Sequence, residues 1–113
     1  MELNRIKGKI AFISGASSGI GKAVAEKLAQ MGVNLILCAR RVEVLTELKT
    51  QLEKEHAIEV TTLAFDVRNY QEVAKNIQSL PEKWRQIDIL INNAGLAIGL
   101  QHLHTYAIED IDQ

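Results

Sequence analysis

Short apolar runs alternate along this chain with longer segments whose apolar residues recur at helical spacing. "KIAFIS" (9–14) is apolar, rich in β-branched residues and ended by Gly15, which predicts a strand. Ile20, Val24, Leu28 and Met31 follow at helical spacing up to Gly32, placed where a helix-terminating glycine belongs. "NLILCA" (34–39) is apolar almost throughout, as a parallel strand buried on both faces should be. Leu45, Leu48 and Leu52 mark a second amphipathic helix ending near His56, and "EVTTLAF" (59–65) reads as a third strand. Asn69, with Glu72 three residues on, predicts a helix cap. The helix it opens has Val73, Ile77 and Leu80 as its apolar face and stops at Pro81, which cannot continue it. Trp84 is expected to pack the linker before a fourth strand, "IDILIN" (87–92).

The order β-α-β-α-β-α-β implies an α/β domain: a doubly wound parallel sheet with right-handed crossovers and helices on both faces. No repeat, low-complexity tract or linker divides it. The 113 residues therefore read as one domain, within the usual size range. Composition narrows the class further. With 47% hydrophobic and 24% charged residues the chain is of globular type. A net charge of −1 with scattered basic residues leaves no footprint for nucleic acid or an anionic membrane. No apolar stretch approaches the roughly 20 residues of a membrane span, and Met1–Arg5 does not lead into a signal-peptide core. A single cysteine, Cys38, gives no internal disulfide and fits a reducing compartment; its place in an apolar strand makes it a packing residue. The expected location is the cytoplasm.

Chemistry enters with "SGASSGIGKA" (14–23), which holds three glycines and three serines between two apolar stretches. A strand, a glycine-rich turn and a helix start form an arrangement that holds phosphate, because the helix's first N–H groups are unpaired and its dipole favours an anion. Glycine lets the backbone approach closely, and Ser17 and Ser18 add hydroxyl donors without bulk. The nucleoside-triphosphate pattern G-x-x-x-x-G-K-[ST] fails twice: Ala16 stands at the first glycine and Ala23 at the hydroxyl. The dinucleotide type of loop remains, with Gly15, Gly19 and Gly21 as G-x-x-x-G-x-G. Cofactor discrimination in such sites falls about 20 residues on, at the end of the second strand. There the chain has Ala39, Arg40 and Arg41 in place of an acid, and guanidinium groups suit a 2′-phosphate. NADP is therefore the expected cofactor.

On these residues the sequence resembles the short-chain dehydrogenase/reductase family. "SGASSGIG" is similar to its cofactor loop, with Ser14 for the usual Thr; "DV" (66–67) is similar to its adenine-binding dipeptide, and "NNAG" (92–95) to its motif after the fourth strand. "ARR", "FDVRN" and "SLPEKWRQIDILINNAGLAIG" resemble the branch that oxidises serine and other 3-hydroxy acids with NADP, including malonic semialdehyde reductases. The resemblance implies a Rossmann-type sheet in the order 3-2-1-4. It also implies cofactor contacts from Gly15, Ala16, Ser17, Ser18, Gly19, Ile20 and Gly21, and from Arg40 and Arg41. Asp66 would accept from the adenine amino group, the Val67 backbone would complete that contact, Asn93 would approach the ribose, and Asn92 would tie neighbouring strands.

The resemblance further implies a catalytic Ser, a Tyr-x-x-x-Lys pair and a later Asn. Four residues after Tyr70 stands Ala74 and four after Tyr106 stands Asp110, so the pair has no counterpart here, and no fifth strand carries the Ser. The expectation is that residues 1–113 are a partial NAD(P)-binding Rossmann domain without catalytic residues, truncated after the fourth strand. Its fourth strand would then be a bare edge that favours self-association or marginal stability. His102 and His104 lack a third ligand at suitable spacing and predict no metal site. The full protein is expected to bind NADP(H) and a small hydroxy or oxo substrate as a homo-oligomer, dimer or tetramer. The alternative is an inactive stand-alone NADP-binding or interaction module.

Overall fold

Four short strands lie side by side in a computed structural model that describes residues 6–65 and 70–93. They are β1 (Ile10–Ser14), β2 (Asn34–Ala39), β3 (Val60–Ala64) and β4 (Ile89–Asn92). All pairings are parallel and the order is β3-β2-β1-β4. Helices α1 (Gly19–Gln30), α2 (Val42–Glu55) and α3 (Tyr70–Gln78) connect them, with a short 3-10 turn at Glu82–Trp84 before β4. This is the doubly wound, Rossmann-type α/β arrangement that the alternation predicts, in the order 3-2-1-4.

Two apolar layers sandwich the sheet because successive strand residues point to opposite faces. Ala11, Ile13, Leu35 and Leu37 face α1 and α2, meeting Ala25, Ala29, Leu45, Leu48 and Leu52. Phe12, Ile36 and Cys38 face the other way, against Val73, Ile77, Leu80, Trp84 and Leu90. Cys38 is fully buried among them, and Trp84 is part of this core rather than a cover for a linker. Among the described residues β3 and β4 are the two edges of the sheet.

Helix α1 presents its small residues to the sheet. Its buried positions are Gly21, Ala25 and Ala29, whereas Val24, Leu28 and Met31 are half-buried on its flank. Ile20, expected to open the apolar face, is 70% exposed. The reason is distance: alanines and glycine let the helix axis come close to β1, which turns the larger side chains sideways. At the other end Gly32, at φ +81°, closes the helix. Its N–H donates to the Ala29 carbonyl at 3.0 Å and the Val33 N–H to the Leu28 carbonyl at 3.1 Å, the double bond of a left-handed glycine cap.

The starts of β1, β3 and β4 sit slightly inside the expected ones, and that of β2 coincides. β4 begins at Ile89 and not Ile87, since Ile87 packs as a core residue and Asp88 makes the entry. The Asp88 N–H donates to the Ile10 carbonyl and its carboxylate accepts the Ile10 N–H, both at 2.9 Å. The cap expected at Asn69 lies outside the described residues, as do His102, His104 and Tyr106. No helix among the described residues is long and apolar enough to cross a membrane, and no cluster of metal-binding side chains occurs there.

Candidate functional site

The carboxyl ends of the strands finish level with one another. Ser14 pairs with Cys38 on one side and with Asn92 on the other, and Ala39 pairs with Ala64. The residues that follow, Gly15, Arg40, Phe65 and Asn93, therefore line one edge, the edge at which open parallel α/β sheets bind ligands. Asp66 and Val67 come directly after Phe65 and lie outside the described residues.

The loop between β1 and α1 is held by hydrogen bonds of its own and by bonds from the ends of β2 and β4. Gly15 takes φ +65°, a conformation that favours glycine, and turns the chain off the sheet. The buried Ala16 donates its N–H to the Cys38 carbonyl at 3.0 Å, which pins the loop to the end of β2. Ser18 is the N-cap: its Oγ accepts the Gly21 N–H at 3.0 Å and donates to the Gly15 carbonyl at 3.0 Å. The Ser18 N–H reaches the same carbonyl at 3.1 Å. A Cβ on Gly21 would stand 2.3 Å from the Gly15 oxygen, so this glycine is required for helix and loop to touch.

Several donors are left over. The Ser17, Gly19 and Ile20 N–H groups and the Ser17 hydroxyl have no hydrogen-bond partner among the described residues. Gly19 and Ile20 open the first turn of α1 and Ser17 stands just before its N-cap, where the dipole adds partial positive charge. A Cβ on Gly19 would meet nothing within 4 Å, so the space in front of that backbone is open. This is the geometry of an anion cradle. The two serines differ: the Ser17 hydroxyl has no partner among the described residues, whereas the Ser18 proton goes to the Gly15 carbonyl.

Asn92 and Ser14 tie β4 to β1, as expected of Asn92: the buried Ser14 hydroxyl lies 3.3 Å from the Ile91 carbonyl and 3.4 Å from Asn92 Oδ1. Asn93 turns back onto the loop. Its Nδ2 donates to the Gly15 carbonyl at 3.1 Å and to Ser18 Oγ at 2.6 Å, contacts that sequence reading did not anticipate. Arg40 and Arg41 are both exposed at the start of α2, where Arg41 is the cap residue without a side-chain cap bond. Neither forms an ion pair among the described residues.

The family model "short chain dehydrogenase" matches residues 9–113. The chain belongs to that family. Among its curated relatives is an NADP-dependent 3-hydroxy acid dehydrogenase of Schizosaccharomyces pombe, 41% identical over 109 residues. That match covers 96% of this chain and 42% of the relative. The protein of the same description from Escherichia coli K12 is 39% identical over 101 residues, covering 89% of this chain and 39% of its own length. Among solved structures, the L-sorbose reductase of Gluconobacter frateurii, complexed with NADPH and L-sorbose, superposes with a TM-score of 0.76 at 33% identity. It is covered to 46% by 96% of this chain. The chain thus spans about two fifths of the length of the curated relatives it matches. The glycine loop, the strand ends, Arg40 and Arg41 all lie among its described residues.

Proposed function

We propose that residues 1–113 are the NADP-binding part of a short-chain oxidoreductase that moves hydride between the nicotinamide and a small hydroxy or oxo substrate, such as a 3-hydroxy acid or serine. The observation that carries this reading is the unpaired donor set of Ser17, Gly19 and Ile20 beside the open face of Gly19. Backbone N–H groups at a helix start, with room for an anion to reach them, fit the bridging phosphates of a dinucleotide. Gly15, Ala16, Ser18 and Gly21 shape that cradle, and Asn93 closes it from β4. Arg40 and Arg41, which form no ion pair among the described residues, fit a 2′-phosphate, which favours NADP, and Asp66 and Val67 take the adenine as in the family motif. When bound, the nicotinamide supplies the hydride. These residues hold and orient it, while the Ser, Tyr and Lys that act on the substrate are contributed by sequence outside this segment. The relatives described as NADP-dependent 3-hydroxy acid dehydrogenases support the substrate class. A homo-oligomer working in the cytoplasm completes the reading; for the compartment, the single free Cys38 fits reducing conditions.

Gly19→Ala tests the cradle. Its new methyl group meets no protein atom within 4 Å, so the melting temperature should hold or rise slightly. NADPH binding should fall by about 10-fold or more, since a methyl group then stands where the phosphate approaches. Unchanged NADPH affinity in a folded Gly19→Ala chain would place the ligand elsewhere.

A further inference from the structure

Ser18 Oγ has no capacity left for a ligand. A serine hydroxyl has one proton and two lone pairs. Here the proton goes to the Gly15 carbonyl, and the lone pairs take the Gly21 N–H and the Asn93 amide. The Gly15 carbonyl is likewise crowded, accepting from the Ser18 N–H, the Ser18 hydroxyl and the same Asn93 amide. Both partners of Asn93 Nδ2 are thus acceptors toward it, which fixes the amide orientation: a rotated Asn93 would set Oδ1 against the Gly15 oxygen. Asn93 Nδ2 reaches across 78 and 75 residues of sequence to bond the two atoms that define the loop.

We infer that Asn93 is a positioning residue for the phosphate cradle, acting through Ser18 and Gly15 to hold the first turn of α1 in its anion-binding form. This deepens the proposed NADP-binding function and rests on it. With both amide hydrogens turned to the loop, Asn93 can meet a ribose only through Oδ1, as an acceptor. Its larger contribution goes to the bridging phosphates that it does not touch. Because Asn93 follows β4 directly, the cradle is referenced to β4 as well as to β1 and β2.

Titration of Asn93→Ala with three ligands separates the two roles. Adenosine 2′-monophosphate lacks both bridging phosphates; adenosine 2′-phosphate 5′-diphosphate contains both bridging phosphates but no second ribose; NADPH contains everything. Positioning through the loop predicts that the diphosphate and NADPH both weaken by about 10-fold, while the 2′-monophosphate keeps its affinity. Loss for NADPH alone would mean direct ribose contact and overturn the inference, as would no loss at all. Wild-type chain that binds none of the three defeats the NADP reading instead. Amide hydrogen exchange on ligand-free chain gives a readout independent of that reading. Asn93→Ala, or the milder Asn93→Ser should the first not fold, is expected to speed exchange at Gly21 by about 10-fold while the amides of β1 and β2 stay protected. Unchanged exchange at Gly21 would show that Asn93 does not hold the loop.

Discussion

Gly21→Ala gives the sharpest test of how the loop is built. The added methyl carbon would stand 2.3 Å from the Gly15 oxygen and 2.9 Å from the Ala16 Cα, against the 3.4 Å at which ordinary contact begins. Relief requires about 1.1 Å of separation between two pieces of backbone. Gly15 cannot yield alone, because its carbonyl is held by Ser18 at 3.0 and 3.1 Å and by Asn93 at 3.1 Å. The other way out is for α1 to lift off the sheet, which opens the packing of Ala25 and Ala29, now 0% and 2% exposed. Overpacking of this kind costs roughly 1–3 kcal/mol, and each strained or lost hydrogen bond adds about 1. Replacing a helical glycine by alanine returns about 1 kcal/mol of propensity. The net is about 2 kcal/mol of destabilisation, and a domain of this size should lose about 10 °C in melting temperature. Circular dichroism melts of Gly21→Ala beside Gly19→Ala supply the assay and its control. A Gly21→Ala chain that melts at or above wild type would refute the close approach of α1 to the loop.

Further outcomes follow from the rest of the site and fold. Arg40→Ala should narrow the preference for NADPH over NADH by about 10- to 100-fold, since one charge-assisted contact to the 2′-phosphate is lost; titrations of both nucleotides that give an unchanged ratio would remove Arg40 from that role. Leu52→Ala empties a fully buried position between α2 and the sheet and should cost about 2–5 kcal/mol in urea unfolding. Glu53 predicts a pH dependence: the Val60 N–H first, then Lys49, hold its carboxyl below the ordinary value of 4.5 against a smaller opposing effect of burial. A depressed folded-state pKa means that this contribution is present above 4.5 and is lost as pH falls below it. Urea midpoints of Glu53→Gln should therefore sit below wild type at neutral pH and converge with it in acid, and a constant gap from neutral pH down to acid would contradict the assignment.

What the sequence showed and hid follows from where the information resides. β2 was legible to the residue, Asn34–Ala39, because burial on both faces leaves an apolar run, Leu35–Ala39, set between the polar Asn34 and Arg40. The contact face of α1 was misread because periodicity weighs large aliphatics, and Ile20 outscores Gly21 although it is the glycine that touches the loop. Small residues that permit close approach leave little hydrophobic signal. Glu53 and Lys49 look like an ordinary surface pair at i,i+4, 3.0 Å apart. Only the fold shows Glu53 accepting the Val60 N–H at 2.9 Å and Lys49 donating to the Val60 carbonyl at 2.6 Å. The Leu35 N–H donates to the Glu59 carbonyl, so the Val60 backbone groups point away from β2, toward the outer edge of the sheet. Two helix side chains thus occupy donor and acceptor positions that another strand would need, which guards an edge open to unwanted pairing. The candidate site divides in the same way. Its glycines, arginines and asparagines could be found by type and spacing, since those express backbone freedom and charge. The division of labour among them could not: Ser18 is spent on Gly15 and Gly21 within its own turn while Ser17 has no partner among the described residues, and the brace from Asn93 is a contact between segments more than 70 residues apart.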